Sequence, residues 1–195
     1  MPTVQASTSS DSGQLIPLSE PALGGREWEY LKECLDTGWV SSAGPFVERL
    51  EKALAQYTGI TQAVATVSGT AALHIALRVA GVEEDDEVLV PALTFIAPVN
   101  AIRYCGAHPV FIDADPATWQ MDARKVREFL EKRCAVGGGS ECRNRQTGRR
   151  VRVILPVHLL GLACDMKAIV EIAQQFHLQV VEDAAEGMGA RYRGR

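Results

Sequence analysis

The stretch Val180-Val181-Glu182-Asp183-Ala184-Ala185-Glu186-Gly187 decides how the rest of the chain is read. Leu178, Val180 and Val181 are apolar, and the run predicts a short strand buried on both faces, as strands of parallel sheets are. Such a strand delivers carboxylates to its C-terminal end, and open α/β sheets bind ligands just outside the carboxyl ends of their strands. On this stretch alone Asp183 has two readings. It is a carboxylate facing a ligand, or a cap on the turn that follows, a role in which Asp is common.

Upstream, strand-like and helix-like periods alternate. An amphipathic helix is expected over residues 25–36, with Trp28, Leu31 and Leu35 at helical spacing, and a second over 45–57, opened by Pro45. Then come a strand at 63–67, a tight turn at Ser68-Gly69-Thr70 and a helix at 71–79. Strands at 87–90, 109–113, 151–157 and 178–182 alternate with helices at 96–104, 122–133 and 165–176. Residues 135–150 are rich in Gly and Arg, lack a period, and are expected as a surface excursion. Its arginines could suggest a phosphate site, but nothing around them forms a helix start or a nest, so a solvated loop is the better reading. Alternating strands and helices mean βαβ units: an α/β fold with a mostly parallel, doubly wound sheet.

Bulk properties exclude several classes. A net charge of −4 leaves no footprint for nucleic acid or for a basic membrane-binding face. No apolar run approaches the roughly 20 residues of a spanning helix, so neither nucleic acid nor membrane is expected as a partner. Residues 1–14 are polar and Ser/Thr-rich, unlike a secretory signal, and are expected as a disordered leader. Five cysteines are scattered, odd in number and never in a C-x-x-C pair, which points to reduced thiols in the cytoplasm and to no metal site.

Four places could carry chemistry, and all follow predicted strands. Gly69 and Thr70 open a helix whose free N–H groups and dipole suit an anion, although Ser68 or Thr70 could simply be caps. Phe95, in Pro91-Ala92-Leu93-Thr94-Phe95, could stack on a planar ring, or be an ordinary core residue. His158, in Pro156-Val157-His158, is one imidazole at a strand end, where a satisfied structural role is the commoner one. Asp183 and Glu186 complete the set. One crevice could collect all of them.

In chain order these stretches, with Thr37-Gly38-Trp39-Val40-Ser41-Ser42-Ala43-Gly44 and Ser68-Gly69-Thr70-Ala71-Ala72-Leu73, resemble the DegT/StrS family of pyridoxal-phosphate (PLP) sugar aminotransferases. The resemblance implies the aspartate-aminotransferase fold (fold type I), with residues 15–195 forming the N-terminal portion of its large domain. It implies PLP as cofactor, its phosphate on Gly69 and Thr70, its ring against Phe95 and near His158, and its pyridinium nitrogen paired with Asp183. Glu186, where many family members carry His, resembles the branch acting on 4-keto-6-deoxy-hexose nucleotides. Within that branch the match is to enzymes making 4-amino-4,6-dideoxy sugars of the legionaminic, bacillosamine or perosamine type. The implied partners are a nucleotide sugar, glutamate as amino donor and a second copy of the chain, with Asp183 and Glu186 catalytic. The family's Schiff-base Lys has no counterpart here: Lys32, Lys52, Lys125, Lys132 and Lys167 all fall in helical patterns. The expectation is therefore an N-terminal fragment, inactive by itself. The alternatives are a PLP-dependent sugar dehydratase of the same fold, a non-catalytic module of that fold, or an unrelated nucleotide-binding domain, whose glycine fingerprint is missing.

Overall fold

The structure, a computed structural model, describes Pro17 and residues 20–139 and 141–194. The expected leader, residues 1–14, lies outside them. The chain divides into two compact units at Ala63/Val64.

In the first unit α1 (Glu27–Thr37) ends where Gly38 takes a left-handed φ of 73° and its N–H caps Leu35 O. The next helix, α2 (Pro45–Thr58), starts with proline at its first position, where the missing N–H costs nothing. Tyr30 and Phe46 meet with ring centroids 5.3 Å apart, and the Arg49 guanidinium lies over both rings. Neither helix has a buried residue, so the expected apolar stripe of Trp28, Leu31 and Leu35 is exposed within this unit.

The second unit is a three-layer α/β structure. Four parallel strands stand in the order β2-β1-β5-β6: β1 (Glu87–Pro91), β2 (His108–Ile112), β5 (Val151–Ile154) and β6 (Gln179–Val180). Every residue of β1 is buried, and its side chains alternate between two cores. Val88 and Val90 pack with Leu73 and Leu77 of α3 (Gly69–Val79) and with Ala101 and Ile102 of α4 (Ile96–Tyr104). Leu89 faces the other way, toward Val126 and Leu130 of α5 (Ala123–Arg133) and Ile169 and Ile172 of α6 (Met166–Gln175). After β2 the chain crosses back past β1 to β5, so the winding direction reverses between β1 and β5. That reversal is the topological switch point of the doubly wound fold.

Three expectations are corrected. Residues 63–67 form no strand; Val64 and Val67 stand exposed beside the turn at Ser68. Residues 135–150 are not a structureless excursion: β3 (Cys134–Val136) and β4 (Cys142–Asn144) form an antiparallel hairpin. Polar contacts at the start of β1 account for its order. Buried Glu87 accepts hydrogen bonds from Asn144 Nδ2 (2.8 Å) and Thr147 Oγ1 (2.7 Å), and Arg150 grips Asp86 through two nitrogens at 2.8 and 2.6 Å. The arginine expected to be merely solvated is thus anchored to acid. The opening stretch is also less buried than expected, because β6 is the edge strand of the described sheet and Val180 and Val181 are only half-buried. The two-residue β6 nevertheless continues as pairing. Val181 N–H donates to Ile154 O (3.1 Å), Asp183 N–H to Pro156 O (2.9 Å), and His158 N–H to Asp183 O (3.0 Å).

Leu89 lies at the centre of the sheet with no exposed surface. Leu89→Ala in the whole protein is expected to lower unfolding free energy by about 3 kcal/mol, from lost burial plus an unfilled cavity. Lys132→Ala, on the exposed face of α5, should change it by less than about 0.5 kcal/mol. Equilibrium denaturation of both variants checks the contrast.

Candidate active site

Because the four strands run parallel, their C-terminal ends lie on one side of the sheet, and the loops after β1, β5 and β6 share that edge with the start of α3. There they enclose a cleft of about 340 Å³. Gly69, Thr70, Phe95, His158, Asp183 and Glu186 all line it, with Leu73, Val157 and Leu159 supplying apolar wall. The structure therefore brings together every residue singled out from the sequence. A larger opening of about 510 Å³ sits at the opposite ends of the strands. Its lining holds Glu83, Asp85, Asp86, Arg149 and Arg150, which pair with one another at 2.6 to 3.8 Å, so both arginines are committed to acids, while Glu84 and the remaining acids leave the lining negative.

At one side of the cleft α3 begins. Ser68, extended, caps it by accepting Ala71 N–H at 3.2 Å. The amides of Gly69 and Thr70 belong to the first turn, where N–H groups have no intrahelical partner and the dipole is positive. A Cβ added at Gly69 would meet nothing within 4 Å, so open space lies over that backbone for an anion to approach. Ser68 takes the capping role and leaves Thr70 on the cleft wall.

Phe95 precedes α4 and is 74% exposed, so it is no core residue; its ring is presented to the cleft. Asp183 is placed by the pairing of Val157 with Asp183 that prolongs β5 and β6. The cap reading is met: Oδ1 accepts Ala185 N–H at 3.1 Å, and Asp183 also lines the cleft. Glu186 Oε2 accepts the Leu160 N–H at 2.6 Å.

His158 is buried, yet reaches the cleft. Its Nε2 lies 2.9 Å from Glu182 Oε2, and the Cys164 N–H points at Nδ1 from 3.3 Å, so the neutral ring carries its proton on Nε2. Cys164 and Glu182 push the imidazole pKa up to about 9, while burial pulls it down. No site role is legible in the sequence for Glu182, which reads only as part of the acidic strand end, or for Gln120. Glu182 could have been found from its place beside Asp183; Gln120 carries no local signal. Of the five lysines, none lines the cleft; Lys32, Lys52, Lys132 and Lys167 pair with carboxylates one helical turn away. Among the described residues no group of ligands is arranged for a metal ion, and no helix is long and apolar enough to cross a membrane.

The donor set matches PLP piece by piece: helix-end amides for a phosphate, an exposed aromatic face for a planar ring, and a carboxylate for a ring nitrogen. The α/β fold with its parallel sheet is that of the fold-type-I PLP-dependent aminotransferases. The chain belongs to the DegT/DnrJ/EryC1/StrS aminotransferase family, which it matches over residues 21–195. It is 44% identical over 180 residues to a GDP-perosamine synthase of Caulobacter vibrioides, covering 92% of this chain and 44% of that protein. Among solved structures, it resembles the PLP form of the putative sugar aminotransferase Spr1654 from Streptococcus pneumoniae. That likeness has a TM-score of 0.76 and 30% identity, over 92% of this chain and 45% of the other. DesI, solved with its TDP-sugar product, matches at TM-score 0.71 and 33% identity over 87% and 38% of the two chains. The chain thus spans less than half the length of the relatives it matches.

The raised pKa of His158 sets a direction for pH dependence. A folded-state value above the unfolded one, about 6.5, means that the stabilisation is complete below about pH 6.5 and fades as pH rises through about 9. The stability gap between wild type and His158→Gln should therefore shrink across that window. Chemical denaturation at pH 6 and pH 9.5 measures it, and a gap unchanged between them removes the charged imidazole from the account.

Proposed function

We propose that this chain forms the cofactor-binding portion of a PLP-dependent nucleotide-sugar aminotransferase. The whole protein would move an amino group from glutamate to the 4-keto carbon of a nucleotide-linked 6-deoxy-hexose, in the cytoplasm, for surface-glycan synthesis. In this reading residues 15–195 are the N-terminal portion of the large domain and residues 1–14 a leader. The observation that carries the reading is the convergence of the α3 N-terminus, the exposed Phe95 ring and the Asp183 carboxylate on one cleft. Similarity to a GDP-perosamine synthase supports the sugar substrate.

When bound, PLP supplies an electron sink for charge developing at the carbon next to the transferred nitrogen. The residues of this chain make that sink work. Gly69 and Thr70 hold the phosphate through first-turn amides and the Thr70 hydroxyl, which fixes one end of the cofactor. Phe95 covers one face of the ring and keeps water from it. Asp183 holds a proton on the pyridine nitrogen, since a carboxylate beside that atom favours its charged form. The Ala185 N–H on Oδ1 orients that carboxylate. His158 closes the wall beside it, itself anchored by Glu182.

The apolar side chains of Ile75 and Val79 on α3 and Tyr104 on α4 are exposed on neighbouring helices. The whole protein is read as a homodimer, and apolar side chains such as these are available to an interface.

Asp183→Asn in the whole protein tests the reading. The shape is kept while the charge that holds the pyridine proton is lost, so turnover is expected to fall roughly 10²–10³-fold. PLP affinity, measured by absorbance titration, should fall far less. Normal turnover in this variant would refute the assignment of Asp183.

A further inference from the structure

Gln120 lies on the segment between β2 and α5, is only 4% exposed, and belongs to none of the motifs at the strand ends. Its carboxamide reaches 39 residues along the chain to the loop after β5. Oε1 accepts the Leu159 N–H at 3.1 Å, and Nε2 donates to the Leu159 carbonyl at 3.1 Å. This reciprocal pair leaves no choice of amide orientation, since swapping oxygen and nitrogen would oppose donor to donor and acceptor to acceptor. Nε2 also donates to Thr118 O at 3.3 Å, and Cys164 Sγ approaches Oε1 at 3.6 Å.

The next residue, Leu160, has φ 56° and ψ 31°, a left-handed conformation that costs a non-glycine residue on the order of 1 kcal/mol. Something must hold it there. The peptide plane joining Leu159 to Leu160 is held at both ends. Its carbonyl accepts from Gln120 Nε2 and from the Leu162 N–H at 3.0 Å, and its N–H donates to Glu186 Oε2 at 2.6 Å. The C=O and N–H of a trans peptide point in opposite directions, so the two side chains grip one plane from opposite sides. Turned over, the plane would set a carbonyl against the Glu186 carboxylate and an N–H against the Gln120 amide nitrogen.

We infer that Gln120 is a positioning residue of the cofactor site, orienting the Leu159–Leu160 peptide so that its N–H fixes Glu186 on the cleft wall. The inference rests on the cleft being the PLP site. Gln120 touches no cofactor in this arrangement; it acts through the peptide and Glu186, both at the cleft. Replacing it loosens the wall at Leu159 and Glu186, and leaves Asp183, Phe95 and the α3 N-terminus as they are.

The test uses the whole protein in its apo form and PLP alone, with the dissociation constant read from cofactor absorbance. Gln120→Met keeps the bulk and removes both hydrogen bonds, and is expected to weaken PLP about tenfold, because the ligand must then order the Leu159 and Glu186 wall of its own cleft. In a Glu186→Ala background the same substitution should change affinity less than about twofold, because the group it positions is gone. Equal weakening in both backgrounds would mean a merely structural role and overturn the inference, as would wild-type affinity in Gln120→Met. If Gln120→Met does not fold, Gln120→Asn keeps a buried amide but is one methylene short, and the same comparison applies. Hydrogen exchange needs no variant: the Leu160 amide should exchange slowly in the wild type, and fast exchange overturns the proposal. A wild type that binds no PLP overturns the parent reading and this inference with it. A wild type that binds PLP while the variants match it overturns the inference alone.

Discussion

The parallel pairing of β5 with β6 is the constraint on which the site depends. It keeps one register, Val153 with Gln179, Ile154 with Val180 and Val157 with Asp183, beyond the end of the regular strands. Because successive side chains of a strand alternate, a slip of one residue would send Asp183 to the opposite face and bring Glu182 or Ala184 to the cleft. The slip is opposed from below: Leu178 and Ile154 are buried in the core under α5 and α6, and shifting the strand would pull Leu178 out of it. Hydrophobic burial at one end of a short segment thus fixes the position of a carboxylate at the other.

The two ends of the sheet handle charge differently. At the carboxyl ends the α3 dipole and the first-turn amides of Gly69 and Thr70 put positive potential on one side of an open cleft whose other wall carries the Asp183 and Glu186 carboxylates. At the amino ends, Asp86 and Glu87 are buried, and burial of a carboxylate is tolerable only when it is paired and hydrogen-bonded. Arg150, Asn144 and Thr147 meet that requirement. The hairpin that carries Asn144 is therefore part of the fold's electrostatics. The three arginines lining the larger opening at that end are all paired with acids, so they are committed within the fold, whereas the smaller cleft combines helix-end amides, an aromatic ring and a carboxylate.

Much of this was legible in the sequence because parallel α/β folds impose strong local signals. The all-apolar run before Pro91 became a fully buried strand, and α4 spans the residues expected of it. Gly69, Thr70, Phe95, His158, Asp183 and Glu186 were each ambiguous alone; Phe95, His158, Asp183 and Glu186 follow strand ends, which parallel strands gather on one side, while Gly69 and Thr70 open α3 with no strand before them. What stayed hidden depended on distant partners. Residues 135–150 have no period because their order comes from Asp86 and Glu87, some sixty residues earlier. The exposure of Trp28, Leu31 and Leu35 could not be read from an amphipathic pattern, which states that a stripe exists and not what covers it. Gln120 is hidden for the same reason: a single amide between β2 and α5 has no periodicity and no neighbours that reveal a contact 39 residues away.

The segment from Glu182 to Glu186 places three carboxylates in five residues, and like charges at such density repel. Each finds a different partner: Glu182 meets the His158 ring, Asp183 the Ala185 N–H, and Glu186 the Leu160 N–H. Two of the three partners lie on the loop after β5, so the acidic turn and that loop hold one another in place. The division also separates their tasks. Glu182 is turned to the imidazole and Glu186 to the peptide, while Asp183 spends one oxygen on a local turn and still faces the cleft. A carboxylate meant to pair with a ring nitrogen needs a fixed orientation and no permanent cation beside it, since a resident cation would compete with the ligand. Asp183 is oriented by a neutral amide, and the charge of the His158 imidazole beside it is taken up by Glu182 instead.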